Sequence, residues 1–136
     1  MLLTATRFTW NVRVYYEDTD TAGVVYYANY LRFFERARTE WLRHQGLNQE
    51  VLAENSGLRF AVRRATLDFI AAARLDDLLQ ISVRMLKLGG ASVDFEQEAH
   101  CSDRRICAAT VKVACLRESD FRPVPIPASI RVKMQS

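Results

Sequence analysis

Residues 14–41 read VYYEDTDTAGVVYYANYLRFFERARTEW, and this stretch decides the fold. An alternating strand is predicted to end at Tyr16, and three acidic residues follow it in a turn: Glu17, Asp18 and Asp20. Gly23 and a short apolar run then lead into an amphipathic helix. Carboxylates beside a helix start lie near unpaired backbone N–H groups and the positive end of the helix dipole. Such a carboxylate can attack an acyl carbon or activate water, while a free N–H stabilises the oxyanion.

The residues on either side of this turn define its flanking elements. Apolar residues alternate with polar ones from Phe8 to Tyr16, which predicts a half-buried strand. Over residues 27–45 apolar side chains recur every three or four positions, which predicts one long helix. Gly46 is expected to end that helix, and Asn48 to cap a short turn at residues 50–54.

The remainder of the chain is predicted to form strands. Four alternating segments follow residue 58 in hairpin-like succession, and the apolar phase slips at Arg63-Arg64, which predicts a β-bulge. Pro127 is expected in the first turn of a short terminal helix. Because no strand–helix–strand alternation occurs, the fold class is α+β, a curved and largely antiparallel sheet around one helix. We expect a single domain over residues 1–136.

Composition excludes several classes of protein. The chain is 49% hydrophobic and 26% charged with a net charge of +3, and its basic residues are scattered, so no nucleic-acid groove is expected. Three cysteines without a paired spacing favour a reducing, cytoplasmic location. Residues 1–6 lack the pattern of a signal peptide. No stretch approaches the roughly 20 apolar residues of a membrane span, so direct membrane insertion is not expected.

The remaining inventory points to a carboxylate site without metal or cofactor. The chain has no nucleophile elbow and no phosphate loop, and its two histidines are interpreted as structural. The opening of a calcium loop at residues 18–23 is incomplete, because Ala22 and Asn29 stand where ligands are needed. Asp18 and Asp20 can simply shape the turn. Gly23 and the apolar run after it favour catalysis, with Asp20 the better candidate because it lies nearer the helix.

Residues 14–42 resemble the signature of the 4-hydroxybenzoyl-CoA thioesterase family of hotdog-fold proteins. They are most similar to the YbgC branch, the acyl-CoA thioesterases associated with the Tol-Pal system. The matching segments are YYEDTD at 15–20, GVVY at 23–26, ERARTE at 35–40 and ARLDD at 73–77. The resemblance implies a five-stranded sheet wrapped around the helix, protomers joined sheet edge to sheet edge, and dimers paired into a homotetramer.

The same resemblance implies the chemistry. Asp20 falls on the family's catalytic carboxylate and Tyr27 on its oxyanion donor, a backbone N–H at the helix start. Acyl-CoA would be hydrolysed to free acid and CoA, with Asp20 as nucleophile or general base, and no cofactor is implied because CoA belongs to the substrate. The branch usually carries His where Tyr27 stands, so the acyl preference (short, long or aromatic) is left open.

Substrate contacts and rival functions follow from the surrounding residues. Gly23, Val25 and Tyr26 are expected to line the acyl group, and Ser92 to hydrogen-bond the ligand or finish a turn. Arg63, Arg64 and Lys87 are candidates for the CoA phosphates, or else form a solvated rim of the sheet. Acyl carrier protein is an alternative thioester carrier, and a non-catalytic adaptor of envelope or lipid machinery is a further alternative. A dehydratase is disfavoured because that chemistry relies on a catalytic His.

Overall fold

The structure is a computed structural model that describes residues 7–136, so the expectation for a signal segment in residues 1–6 lies outside the described residues. Within this range the chain forms five strands and three helices. They are β1 Phe8–Arg13, α1 Asn29–His44, α2 Gln49–Ser56, β2 Leu58–Phe69, β3 Leu78–Leu88, β4 Ser92–Cys101, β5 Arg104–Arg117 and α3 Ala128–Gln135. None of these helices is both long and apolar enough to cross a membrane.

The strands form one antiparallel sheet in the order β1-β3-β4-β5-β2. The hairpins β3–β4 and β4–β5 build its centre, while β1 and β2 form the two edges. This arrangement confirms the predicted α+β class with a five-stranded antiparallel sheet. The edge position of β2 matters for assembly, because an exposed edge strand carries unpaired backbone groups.

Helix α1 packs its apolar stripe against the sheet. Its buried apolar side chains recur at helical spacing, at Tyr30, Phe33, Phe34, Ala37, Trp41 and Leu42. Trp41 meets Phe95 of β4 edge-on, with ring centroids 5.2 Å apart. Fully burying a large apolar side chain contributes about 2 kcal/mol, so this stripe anchors the helix. The stripe predicted from spacing is therefore the core-facing side of α1.

Two element boundaries differ from the sequence expectation. β1 ends at Arg13, and Tyr16–Asp18 forms a 3₁₀ turn in which Tyr16 is 81% exposed. The apolar alternation continues past the end of the strand. Tyrosine occurs on protein surfaces as well as in strands, so its place in the alternation does not show that it is buried. Helix α1 begins at Asn29 rather than at residue 27, since Ala28 is its N-cap. Both corrections lengthen the loop that carries the acidic residues.

Two finer predictions are confirmed, and two others hold in part. The register of β2 against β5 shifts between Val62 and Arg64, where the phase slip predicted a bulge. Gly46 adopts a φ of +83° just beyond α1, as a helix terminator requires. The Asn48 side chain caps the next segment, which is a full helix, α2, rather than the short turn expected. Pro127 is the N-cap of α3, one residue outside the helix it was expected to open.

Candidate active site

Asp18 is a structural residue of the loop between β1 and α1. Its carboxylate is buried, and its two oxygens accept hydrogen bonds from the Tyr15 N–H at 2.9 Å and the Asn29 side-chain amide at 2.8 Å. These bonds tie the 3₁₀ turn to the first residue of α1. The expectation that Asp18 shapes the turn agrees with this geometry, since both oxygens already hold donors.

Asp20 lies two residues further on and has an exposed side chain. One carboxylate oxygen accepts a hydrogen bond from the Ala22 N–H at 2.9 Å, and no other donor among the described residues bonds this carboxylate. The backbone is fixed by bonds from the Asp20 N–H to the Val24 carbonyl and from the Gly23 N–H to the Asp20 carbonyl. Gly23 has a φ of +79°, which suits glycine. Asp20 thus offers an accessible oxygen on a well-anchored turn.

The backbone N–H of Tyr27 is unoccupied next to the start of α1. Within residues 7–136 it donates to no backbone or side-chain acceptor, while the Tyr26 N–H is bonded to the Asp18 carbonyl at 3.0 Å. The Val25 N–H reaches the Ala73 carbonyl at 2.8 Å and fixes the segment just before it. A free donor at the positive end of a helix is suited to hold a developing oxyanion. Asp20 and this donor therefore belong to one hydrogen-bonded loop.

An aromatic cluster borders this loop. The Tyr27 ring is 60% exposed and packs on the Tyr26 ring at 4.7 Å and edge-on against Phe69 at 6.0 Å. Phe69 also meets Tyr30 at 5.9 Å, and burial raises the pKa of Tyr30 to about 12, so its hydroxyl stays neutral. The sequence did not identify Phe69 as a residue of this site. The available signal was its place at the end of β2, among the apolar positions of the alternation.

The other predicted acyl contacts differ in burial: one lies in the core and two lie on the surface. Val25 is buried in the core, so it supports the loop from beneath rather than offering an open surface. Tyr26 is exposed beside Tyr27. Gly23 is exposed, and a Cβ at this position would meet no atom within 4 Å. Glycine is thus favoured here by backbone conformation rather than by close packing.

The predicted CoA-binding cations lie away from this loop in one protomer. Arg64, Lys112, Asp94 and Lys87 occupy one row across the sheet, through the pairs Arg64–Lys112, Lys112–Asp94 and Asp94–Lys87. Phe69, beside Tyr27, pairs with Cys107, five residues from Lys112 along β5. At about 3.4 Å per residue the two rows are about 17 Å apart.

The remaining predicted contacts also lie away from the loop. Arg63 sits in the bulge without a register partner, and Ser92 opens β4 opposite Ala114. Ser92 finishes the turn, since its carbonyl accepts the Gly89 N–H at 2.8 Å. Arg74 is a cation that the fold brings to the loop, because its backbone forms an isolated β-bridge with Val24 and the residue is exposed. The sequence marked this segment only as part of a motif.

Neither histidine lies on the loop. His44 ends α1 and packs against Phe8 at 5.3 Å. His100 pairs with Gln80 across the sheet and approaches the Glu98 carboxylate at 3.6 Å. Both positions agree with structural roles. Within residues 7–136 no cluster of three or more metal-ligating side chains occurs.

The family model for the thioesterase-like superfamily matches residues 14–134, which span the loop and strands β2 to β5. The chain belongs to this superfamily. Acyl-CoA thioesterase YbgC of Haemophilus influenzae is 45% identical over 124 residues, 91% of either chain. Acyl-CoA thioester hydrolase YbgC of Escherichia coli O6:H1 is 42% identical over 129 residues, 94% of this chain and 96% of that one.

A solved structure of another superfamily member agrees with the fold. The probable thioesterase from Bartonella henselae superposes with a TM-score of 0.84 at 38% identity, covering 90% of this chain and all of that one. The resemblance to YbgC-type hotdog thioesterases is thereby confirmed over nearly the full length. The roles of individual site residues stay predictions.

Proposed function

We propose that this thioesterase-superfamily member hydrolyses acyl-CoA thioesters to free acid and CoA, with Asp20 and the Tyr27 N–H as its reacting groups. The observation that carries the proposal is their shared loop. An exposed carboxylate with one open oxygen and an unoccupied N–H at a helix start are held by the same turn. The relatives named as acyl-CoA thioesterases support the substrate class.

The reaction requires only these groups and water. An Asp20 oxygen attacks the thioester carbonyl carbon, the carbonyl oxygen gains negative charge against the Tyr27 N–H, and the carbon–sulfur bond breaks to release the CoA thiolate. Water then cleaves the acyl-aspartate anhydride. As a general base, Asp20 would instead take a proton from the attacking water. A single oxyanion donor contributes about 3 kcal/mol to lowering the barrier.

Substrate binding extends from this centre. The exposed Tyr26 and Tyr27 rings and Phe69 offer an apolar surface for the acyl group, over Gly23 and with Val25 beneath. Arg74, whose backbone bridges to Val24, is a further candidate cation for the CoA phosphates in the same chain. Arg63, Arg64, Lys87 and Ser92 stay candidates for the CoA part of the substrate, either at the far end of an extended pantetheine arm or from a second protomer.

The cellular setting is proposed on fewer observations. One domain over residues 1–136 acts without metal or cofactor, as a homotetramer built from dimers. A cytoplasmic location is supported by the free state of Cys101, Cys107 and Cys115. Association with the Tol-Pal envelope system rests on the resemblance to the YbgC branch. Acyl carrier protein as the thioester carrier is separated from CoA by comparing both carriers as ionic strength rises, because attraction of an acidic protein is screened by salt.

Asp20→Asn tests the site. We expect wild-type protein to hydrolyse at least one member of a panel of short, long and aromatic acyl-CoAs, and the variant to lose about 100-fold or more in kcat, since a positioned base or nucleophile contributes that much. Glu17→Gln is the matched control, because it neutralises an exposed carboxylate of the same loop and should keep the rate. Thiol release measured with a chromogenic reagent provides the readout.

Two results would contradict the proposal. If Asp20→Asn keeps full activity, the site assignment is wrong. If wild-type protein hydrolyses none of the panel and instead captures envelope or carrier proteins specifically, the adaptor alternative holds.

A further inference from the structure

The residues on either side of Tyr27 fix the position of its N–H group. The Tyr26 N–H donates to the Asp18 carbonyl at 3.0 Å, and the Asn29 side-chain amide donates to an Asp18 carboxylate oxygen at 2.8 Å. Asp18 therefore holds the chain on both sides of Tyr27, through its backbone on one side and through its side chain on the other. The first of these bonds joins two backbone groups, so Asn29 is the partner side chain on which the arrangement depends.

The same aspartate is close to Asp20 along the chain. Asp18 and Asp20 lie on one arm of a small hairpin, which an antiparallel bridge between Thr19 and Val25 closes. In the described part of the chain, the Asn29 amide forms the one side-chain hydrogen bond that joins this hairpin to α1. The bond thus connects the arm that carries the proposed nucleophile or base to the helix start that carries the proposed oxyanion donor.

The Asp18–Asn29 pair lies beneath the surface of the loop. Asp18 is 5% exposed and Asn29 is 7% exposed, so neither side chain is placed to touch a substrate. The Asp18 carboxylate accepts N–H groups from Tyr15 and from Asn29. A buried carboxylate depends on such donors, and hydrogen bonds to a charged group are stronger than those between neutral groups. The pair is therefore a firm connection that acts on the reaction only through its neighbours.

We propose that Asn29 is a positioning residue for the reaction: its bond to Asp18 sets the separation between the two proposed reacting groups. This inference rests on the proposed function, in which the Asp20 carboxylate and the Tyr27 N–H act on the same thioester carbonyl. Attack on the carbonyl carbon and stabilisation of its oxygen occur in one transition state, so both groups must be in place together. A misplacement of about 1 Å can slow a reaction about 100-fold.

The expected signature is a loss of kcat with little change in KM. A changed separation weakens contacts that are made in the transition state, whereas the surfaces for the acyl group and for CoA stay intact. A residue that only stabilised the fold would lower the melting temperature without this split between kcat and KM.

Exchanging the two side chains tests the inference. Asp18→Asn alone and Asn29→Asp alone each disturb the pair, the first by removing a carboxylate that accepts two donors and the second by facing two carboxylates. In the double variant the amide at position 18 accepts the Tyr15 N–H through its oxygen and donates its NH₂ to the carboxylate at position 29, so the bond is restored in the opposite direction. We expect each single variant to lose about tenfold or more in kcat with KM within about twofold, and the double variant to return to within about threefold of wild type.

Ser82→Ala is the matched control for stability. The Ser82 side chain is buried between β3 and β4, and its oxygen accepts the Glu98 N–H at 3.0 Å. Leaving that N–H without its partner should lower the melting temperature and keep kcat. If Ser82→Ala loses as much kcat as the single exchange variants, at a temperature where all are folded, the effect is one of general stability and the inference is overturned.

Asn29→Ala covers the case in which the single exchanges do not fold. It removes the amide donor without adding a charge, and alanine suits a helix. We expect it to lose about tenfold or more in kcat with KM within about twofold, measured by thiol release from the CoA ester that wild type hydrolyses fastest.

The outcomes separate this inference from the proposed function. Wild-type kcat in Asn29→Ala, or a double variant as slow as the slower single variant, would overturn the inference while hydrolysis by wild type still supports the proposed function. Absence of hydrolysis by wild-type protein would contradict both together.

Discussion

Two aspartates, two residues apart, differ in their burial and in their hydrogen bonds. Asp18 is buried and gives both oxygens to donors of its own protomer, whereas Asp20 is exposed and gives only one. A carboxylate with both oxygens occupied has little left to offer a substrate. The difference agrees with a supporting role for Asp18 and with the proposed catalytic role of Asp20.

Asp18→Asn should destabilise the protein and slow the reaction together. An amide in place of the carboxylate loses at least one of two buried hydrogen bonds and sets its NH₂ against a donor, from Tyr15 or Asn29. Leaving a buried donor unsatisfied costs about 1–3 kcal/mol. Thermal unfolding and kcat provide the two readouts. Asp103→Asn, in an exposed turn, is the control that should leave both unchanged.

Individual side-chain positions were only partly accessible from the sequence. The turn-shaping role of Asp18 and the candidacy of Asp20 follow from local spacing, because both lie within one short loop. The placement of Arg64 and Lys87 in one row far from Tyr27 does not follow from local spacing, since it depends on strand register across four strands. Arg38 looked like part of a helical motif, and its burial against Gln97 depends on a contact 59 residues away.

At the scale of elements, strong periodicity predicted the helices and strands well, whereas their boundaries were predicted poorly. The stripe of α1 follows from apolar phase, which burial of that face enforces. The bulge at Arg63-Arg64 follows from a slip in the apolar phase of β2, although the centre of that strand is exposed in one protomer. The end of β1 is set instead by the Asp18 bonds that draw the chain into a 3₁₀ turn. Such a turn leaves no mark on the hydrophobic alternation, so the strand seemed to continue to Tyr16.

Helix α2 depends on a single side-chain cap that can be tested. The Asn48 side-chain oxygen accepts the N–H groups of Glu50 at 2.9 Å and Val51 at 3.2 Å. Asn48→Ala should cost about 1 kcal/mol. For a domain of this size that corresponds to a loss of about 4 °C in melting temperature.

Asn55→Ala is the matched control for this cap. It makes the same chemical change at an exposed position inside α2, where alanine is the better helix former. Calorimetry should show an unchanged or slightly higher melting temperature for this variant. Equal losses in the two variants would mean that the Asn48 cap contributes nothing specific.

At the scale of the molecule, one side of the twelve-residue edge strand β2 is not paired with another strand of the described residues. Strand β5 covers one side of β2, and the other side is open along a strand whose residues 61–66 are all exposed. Long open edges invite pairing with another chain, and native proteins either block or use them. Pairing of two β2 strands would join two sheets into one and bring a second protomer towards the Tyr27 and Phe69 rings at the end of β2.

Ala65→Lys tests this assembly. Ala65 is exposed near the middle of β2, so an antiparallel pair of β2 strands would hold two new like charges close together, which destabilises a strand pair. We expect sedimentation velocity to show a wild-type assembly that the variant loses at micromolar concentration. Hydrolysis should fall with it if the partner supplies the CoA-binding cations. Thr9→Lys places the same charge on the opposite edge, β1, and should leave the assembly intact, whereas an unchanged Ala65→Lys assembly would exclude β2 as the interface.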